Sequence, residues 1–212
     1  MIFRDRADAG MKLSEALGSY HGQNVIVYAL PRGGVVLGVE VAKPLRAPLD
    51  LIVVRKIGHP DNPEYAIAAV ADDGHVERNT SETDRINLDW FNEARREQQM
   101  EACRRRDTYL AGRPPLNAEG KVAIIVDDGL ATGLTMALAI REVRHRNPSK
   151  VVVAVPVAPL ETIAELRPLA DEIVVLHIPD GGFHAIGGFY LEFPQLTDME
   201  VLDFMRAQTF DG

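Results

Sequence analysis

Residues 123–135, reading Ala-Ile-Ile-Val-Asp-Asp-Gly-Leu-Ala-Thr-Gly-Leu-Thr, set an apolar stretch, two adjacent carboxylates and a Gly/Thr-rich turn directly ahead of a helical pattern. This order suits a phosphorylated sugar. A helix N-terminus presents unpaired backbone N–H groups and the positive end of the helix dipole. The turn Gly129, Leu130, Ala131, Thr132, Gly133, Leu134 and Thr135 can therefore wrap a phosphate with main-chain donors. Thr132 and Thr135 add hydroxyls, and glycine at 129 and 133 permits positive φ and close approach to an anion. Asp127 and Asp128 would repel that phosphate, but they accept hydrogen bonds from vicinal sugar hydroxyls and favour a nearby divalent cation. Neighbouring side chains of a strict strand point to opposite faces, so both acids converge on one sugar only if the chain turns at Asp128.

Other uses of such a run fit less well. A plain solvated turn leaves the glycine and threonine positions unexplained. A P-loop needs Gly-Lys-Ser/Thr, whereas Gly133 is followed by Leu134. A phosphoacceptor receiver needs a further Asp at a later strand end, and Asp171 precedes the strand expected at 173–177. Two more expected strand ends carry groups suited to a diphosphate. Leu30-Pro31-Arg32-Gly33-Gly34 opens a helix, giving free N–H groups and a guanidinium able to grip phosphate oxygens bidentately. Arg55 and Lys56 follow the second expected strand.

The run around Asp127 resembles the phosphoribosyl-pyrophosphate (PRPP) signature of type I phosphoribosyltransferases: four apolar residues, two acids, two mostly apolar positions and a small/Thr-Gly-x-Thr/Ser turn. Gly129 departs from it, where most members carry an aliphatic residue, without removing a proposed ligand. With Arg4-Asp5-Arg6, Asn62-Pro63-Glu64 and the tail, the whole chain is similar to a bacterial group of such enzymes, predicted from sequence, whose acceptors are largely unassigned. The resemblance implies that PRPP binds with Mg²⁺ and that an acceptor nitrogen displaces pyrophosphate at ribose C1, through an oxocarbenium-like transition state with inversion. It assigns the ribose hydroxyls to Asp127 and Asp128, which would meet the metal indirectly, through those hydroxyls or water. It gives the 5-phosphate to residues 129–135. Pyrophosphate goes to Arg32, Gly33 and Gly34, often through an unusual peptide geometry in the family, and to Arg55 and Lys56. A C-terminal hood over the acceptor base would offer Phe183, Phe189 and Tyr190 for stacking, or use them only to pack the hood onto the core. Enzymes for 6-oxopurines usually carry Asp where this chain has Ala131, which weighs against hypoxanthine and guanine; the Ala-Thr-Gly turn is similar to that of adenine enzymes. The expected acceptor is a nucleobase or related nitrogen heterocycle, as in nucleotide salvage. The alternatives are a non-catalytic PRPP or nucleotide sensor and a nucleotide hydrolase or pyrophosphorylase on the same fold. A homodimer is common in the family.

The elements that must hold these groups alternate. Helix is expected at 9–17, strand at 25–30, helix at 35–45 and strand at 51–54. Short strands at 65–71 and 75–78 flank the turn Asp72-Asp73-Gly74 and lead to a polar segment and a long helix from 89 to 111. Strand 122–126, helix 134–146, strand 151–155, helix 160–166 and strand 173–176 follow. Such alternation implies an α/β fold, a mainly parallel twisted sheet flanked by helices with ligands at the carboxyl ends of strands. The chain reads as one phosphoribosyltransferase-like domain over 1–212, with an insertion at about 72–115 and a hood and tail at about 178–212. Residues 72–88, rich in Asn, Thr, Ser and Asp, are the candidate lid against water.

A net charge of −8 argues against a general nucleic-acid binder, so none is expected as a partner. The basic run Arg104, Arg105 and Arg106, with Arg95 and Arg96 upstream and Glu97 and Glu101 at helical spacing, reads as a solvated helix face, the other reading being an arm over the site. With 46% hydrophobic residues in 212, one substantial core is expected. The longest apolar stretch, 151–160, is too short to span a bilayer, and Arg4, Asp5, Arg6 and Asp8 interrupt any leader-like run. No membrane association and a cytoplasmic location are expected, with the single Cys103 structural.

Overall fold

The computed structural model describes residues 1–181, 183 and 185–207, so Gly182, His184 and residues 208–212, all within the hood and tail expected at about 178–212, lie outside the described residues. The chain runs α1 (Arg6–Ala16), β1 (Val25–Ala29), α2 (Gly33–Leu45), β2 (Leu49–Leu51), β3 (Val54–His59), β4 (Asn62–Ala71), β5 (Val76–Arg78), the short α3 (Thr80–Thr83) and the long α4 (Leu88–Leu110). It continues through β6 (Val122–Val126), α5 (Leu134–Arg144), β7 (Lys150–Val157), α6 (Leu160–Leu166), β8 (Glu172–His177) and α7 (Asp198–Ala207).

Five parallel strands form the main sheet in the order β2-β1-β6-β7-β8. Their residues alternate between two cores, as the period of 2 requires. Val25, Val27, Ala29, Ile124 and Val126 pack with α1, α2 and α7, while Ile26, Tyr28, Ala123, Ile125 and Val153 pack with α5 and α6. Burial on both faces explains why these strands read as unbroken apolar runs. From β1 the chain moves outward to β2 on one side, and β6 lies on the other, with Ala29 level with Val126. The carboxyl ends of β1 and β6 therefore border the switch-point crevice where open α/β sheets bind ligands.

Residues 51–54, expected as one strand, are divided: β2 ends at Leu51, and Val54 starts a separate antiparallel sheet in the order β3-β4-β5. Ile52 and Val53 are a buried connector, and a short apolar run reads alike as strand or connector. On one face of this second sheet Ile57, Ala68 and Val70 meet Phe91 of α4; on the other Ala69 and Ala71 meet Leu138 of α5. The departure from the main sheet begins at Val54, ahead of the expected boundary near 72. Helix α7 was not expected at all. Its Val201 and Met205 are buried in the first core. The basic run of α4 departs from the expected solvated face. Arg104 is exposed, but Arg105 and Arg106 are only 16% and 17% exposed, paired with Glu101 at 2.7 Å and Asp72 at 3.0 Å. Among the described residues no helix is long and apolar enough to cross a membrane.

Candidate functional site

Two strand-to-helix turns face each other across the crevice. After β1, the Pro31–Arg32 peptide is cis and α2 starts at Gly33 with no side-chain cap. After β6, Asp127 and Asp128 lead into a turn that reaches α5 through Gly133, in the left-handed region at φ 72°, again without a side-chain cap. Both helices thus leave their first N–H groups without a side-chain acceptor. Backbone bonds fix the turns: Leu30 N–H donates to the Val126 carbonyl at 3.0 Å, and Leu130 N–H to that of Val157 at 2.9 Å. The turns touch at Gly33, where a Cβ would stand 1.8 Å from Asp128 Oδ2, so only glycine fits.

The acidic pair is partly buried. Burial, and next the neighbouring Asp128, push the Asp127 carboxyl well above the usual carboxylate range. Burial also raises Asp128, against the pull of Arg6. A cation or hydroxyl donors brought to the pair would relieve this cost. Asp127 Oδ1 accepts from the Asp128 N–H at 2.8 Å, turning the chain where convergence of the acids requires it. Asp128 Oδ2 accepts from Arg6 Nε at 2.8 Å, and the Asp128 carbonyl accepts from the Tyr190 hydroxyl at 2.7 Å. Arg6 is not among the expected site residues: the sequence offers it only within the Arg4-Asp5-Arg6 segment of the family resemblance, with no role, and its meeting with Asp128 in the fold ties it to the acids.

The turn 129–135 lines a pocket of about 160 Å³ together with Asp127, Lys56, Ala66 and Ile186. Lys56 is thereby brought to the expected phosphate turn. A larger cavity of about 590 Å³ adjoins it, sharing Ala131, Thr132 and Leu134 and bounded by Tyr65, Arg78, Glu161 and Phe183. Arg32 faces the start of α7, with Nη1 3.8 Å from Asp198 Oδ1. Arg55 donates through Nε and Nη2 to Gln98 Oε1 at 3.1 and 2.9 Å. Its guanidinium is pushed down chiefly by burial and next by Arg105, so the run on α4 adds a positive charge on this side.

The three expected aromatics separate. Tyr190 is 7% exposed, with its ring 5.5 Å from Phe3 and 4.7 Å from Phe193, a placement that suits the packing alternative of the two expected for it. Phe183 lines the larger cavity and stacks on Phe189 at 5.8 Å. The candidate lid is divided too. Asp72 is bound to α4, its carbonyl accepting from Cys103 Sγ and its carboxylate paired with Arg106 at 3.0 Å, while Arg78 and Asn79 border the cavity.

A family model described as "Phosphoribosyl transferase domain" matches residues 4–193. The chain is 41% identical over 206 residues to the protein named "Putative phosphoribosyl transferase Rv0571c" of Mycobacterium tuberculosis H37Rv, which covers 96% of this chain and 46% of that one. The chain thus spans about half the length of the curated relatives it matches. It is 38% identical to the crystal structure of TT1426 from Thermus thermophilus, with a TM-score of 0.81 over 98% of this chain and 99% of that one. The AQ2163 protein of Aquifex aeolicus shares the fold at 16% identity and a TM-score of 0.52, over 82% and 74% of the two chains.

Proposed function

We propose that this chain, which belongs to the type I phosphoribosyltransferase family, transfers the 5-phosphoribosyl group of PRPP to a nitrogen of a nucleobase or related heterocycle and releases pyrophosphate. The observation that carries this reading is the meeting of two uncapped helix N-termini on an acidic pair at the switch point of the sheet. The turn 129–135 takes the 5-phosphate, as its 160 Å³ pocket and a helix start without a side-chain cap suit. Asp127 and Asp128 hold the ribose hydroxyls. Arg32, Gly33 and Gly34 hold pyrophosphate, with Arg55 and Lys56 adding positive charge. The acceptor nitrogen forms its bond to C1 as the C1–O bond breaks, and the electron pair leaves on pyrophosphate. Carboxylates beside C1 stabilise the developing ring cation, and holding both reactants in line lowers the entropic barrier.

The oxygen-only donor set of Asp127 and Asp128 fits a hard cation, so these residues would hold Mg²⁺ through sugar hydroxyls or water. When bound, the ion neutralises charge on the departing pyrophosphate. In this reading the antiparallel sheet and α4 are an inserted cover, and the segment after β8 is a hood whose Phe183 stands on the acceptor side.

Calorimetric titration with PRPP, with and without Mg²⁺, tests the assignment. Metal-dependent binding is expected, weakened at least about tenfold, or 1.4 kcal/mol, by Asp128→Asn and abolished by the double Asp127→Asn/Asp128→Asn variant. Pyrophosphate release across a panel of heterocycles then identifies the acceptor. Folded wild type that ignores PRPP, or a double variant that binds it undiminished, would overturn the reading.

A further inference from the structure

We propose that His75, Glu142 and His145, with Asp73 beside them, form a binding site for a divalent transition-metal ion of the zinc type, separate from the crevice. Glu142 and His145 are three residues apart, at the end of α5 and just beyond it, and so share one face of the helix. Their Oε1 and Nδ1 atoms lie 3.8 Å apart. His75 comes from the turn between β4 and β5 and places Nδ1 3.1 Å from the same Glu142 oxygen and 2.8 Å from Asp73 Oδ2. One ligand atom from each of His75, Glu142 and His145 falls within 4.8 Å of the others.

These separations fit one ion. Ligands held at about 2.0–2.1 Å in a tetrahedron stand roughly 3.3 Å apart, a value between the two Glu142 distances. Two imidazoles with a carboxylate suit zinc, nickel or cobalt better than magnesium, which prefers oxygen alone. Glu142 is only 8% exposed, so its carboxylate is fixed in the helix packing. Neighbouring guanidinium groups are engaged elsewhere, Arg141 by Glu77 at 2.7 Å and Arg144 by Asp171 at 2.9 Å. Both histidine side chains are more than half exposed, and a cavity of about 400 Å³ adjoins them. An ion therefore has an access path and room for a water ligand.

The site lies at the opposite end of α5 from Gly133, roughly 16 Å along an 11-residue helix. A bound ion would tie the β4–β5 turn to the helix whose first turn faces the phosphate pocket.

The test is titration of the chelator-stripped full chain with Zn²⁺ alone, followed by competition with a chromophoric chelator. Wild type, His75→Ala and His145→Gln are compared, with Asp127→Asn/Asp128→Asn as the control for the crevice. One equivalent of zinc is expected in wild type and in the crevice variant. Affinity should fall by about 100-fold or more in each histidine variant, beyond the 10–100-fold of an outer-shell change. Circular dichroism checks that the exposed-histidine variants fold. Absence of stoichiometric uptake by wild type, or wild-type affinity in folded His75→Ala or His145→Gln, would overturn the proposal whether or not PRPP binds.

Discussion

Arg6 lies 122 positions before Asp128 in the chain and 2.8 Å from it in the fold. Its guanidinium also donates to the Pro194 carbonyl at 2.7 Å and lies 3.7 Å from the centre of the Phe193 ring, so one side chain joins the first helix, the acidic pair and the segment between β8 and α7. Both partners are little exposed, at 10% and 13%. Removing half of a buried pair typically costs about 3–5 kcal/mol. Burial already raises the Asp128 carboxyl, so protonation limits the penalty, and Arg6→Met, which keeps contact with Phe193, is expected to cost about 2 kcal/mol. Urea unfolding of wild type, Arg6→Met, Asp128→Asn and the double variant should give a coupling of about 1 kcal/mol or more. Additive effects would show that the contact contributes nothing. At this scale Asp127 and the turn 129–135, which line one pocket, and the adjoining Asp128 were legible together because they are contiguous in sequence. Arg6 was not, since its segment Arg4-Asp5-Arg6 carries part of the resemblance without a role and its partner lies 122 positions away.

Helices and strands were legible where neighbours alone decide them. Strand β6, an unbroken apolar run, and helix α6, an amphipathic segment that opens after Pro159, coincide with their expected spans. The division between β2 and β3 was hidden because it depends on which sheet a buried apolar run joins. The inward face of α4 was hidden because its partner Asp72 lies in a different element. At the border of that face Glu101 accepts from the exposed Arg104 at 2.7 Å and from Arg105 at 2.7 Å, and these bonds, that to Arg104 first, hold its carboxyl down at about 2 against an ordinary 4.5. A carboxyl lowered in the folded state adds stability above its unfolded value and loses it as the folded state is protonated. The contribution of Glu101 is therefore complete above pH 4.5 and vanishes as pH falls toward about 2. Its side chain is 30% exposed, so solvent screening keeps the effect of Glu101→Gln near neutral pH to about 1 kcal/mol or less. Stability followed by urea unfolding from pH 6 down to 2 should fall less steeply in Glu101→Gln than in wild type between 4.5 and 2. Parallel profiles would contradict the pairing.

Across the whole molecule, the crevice is closed by joining segments from near both ends of the described chain. Phe3 N–H donates to the Phe189 carbonyl at 2.8 Å, and the Phe3 carbonyl accepts from the Leu191 N–H at 2.9 Å. The Phe3 ring is fully buried beside Tyr190, whose hydroxyl reaches the Asp128 carbonyl. Alternating strands and helices disclosed the parallel sheet, but no periodicity links residue 3 to residue 190, so this closure could be read only from the fold. It makes a remote apolar residue matter to the site. Phe3→Ala is expected to cost about 3–5 kcal/mol through the cavity it leaves, and each kcal/mol lowers the unfolding temperature by about 2–4 °C in a domain of this size. Because Tyr190 loses its neighbour, the hood should also loosen around Asp128 and PRPP should bind more weakly below the unfolding range. Phe3→Leu, which fills most of the volume, should recover most of both effects. Calorimetric scans paired with PRPP titrations separate the two consequences. If Phe3→Ala unfolds earlier yet binds PRPP like wild type, Phe3 acts only on stability, and the hood holds Asp128 without it.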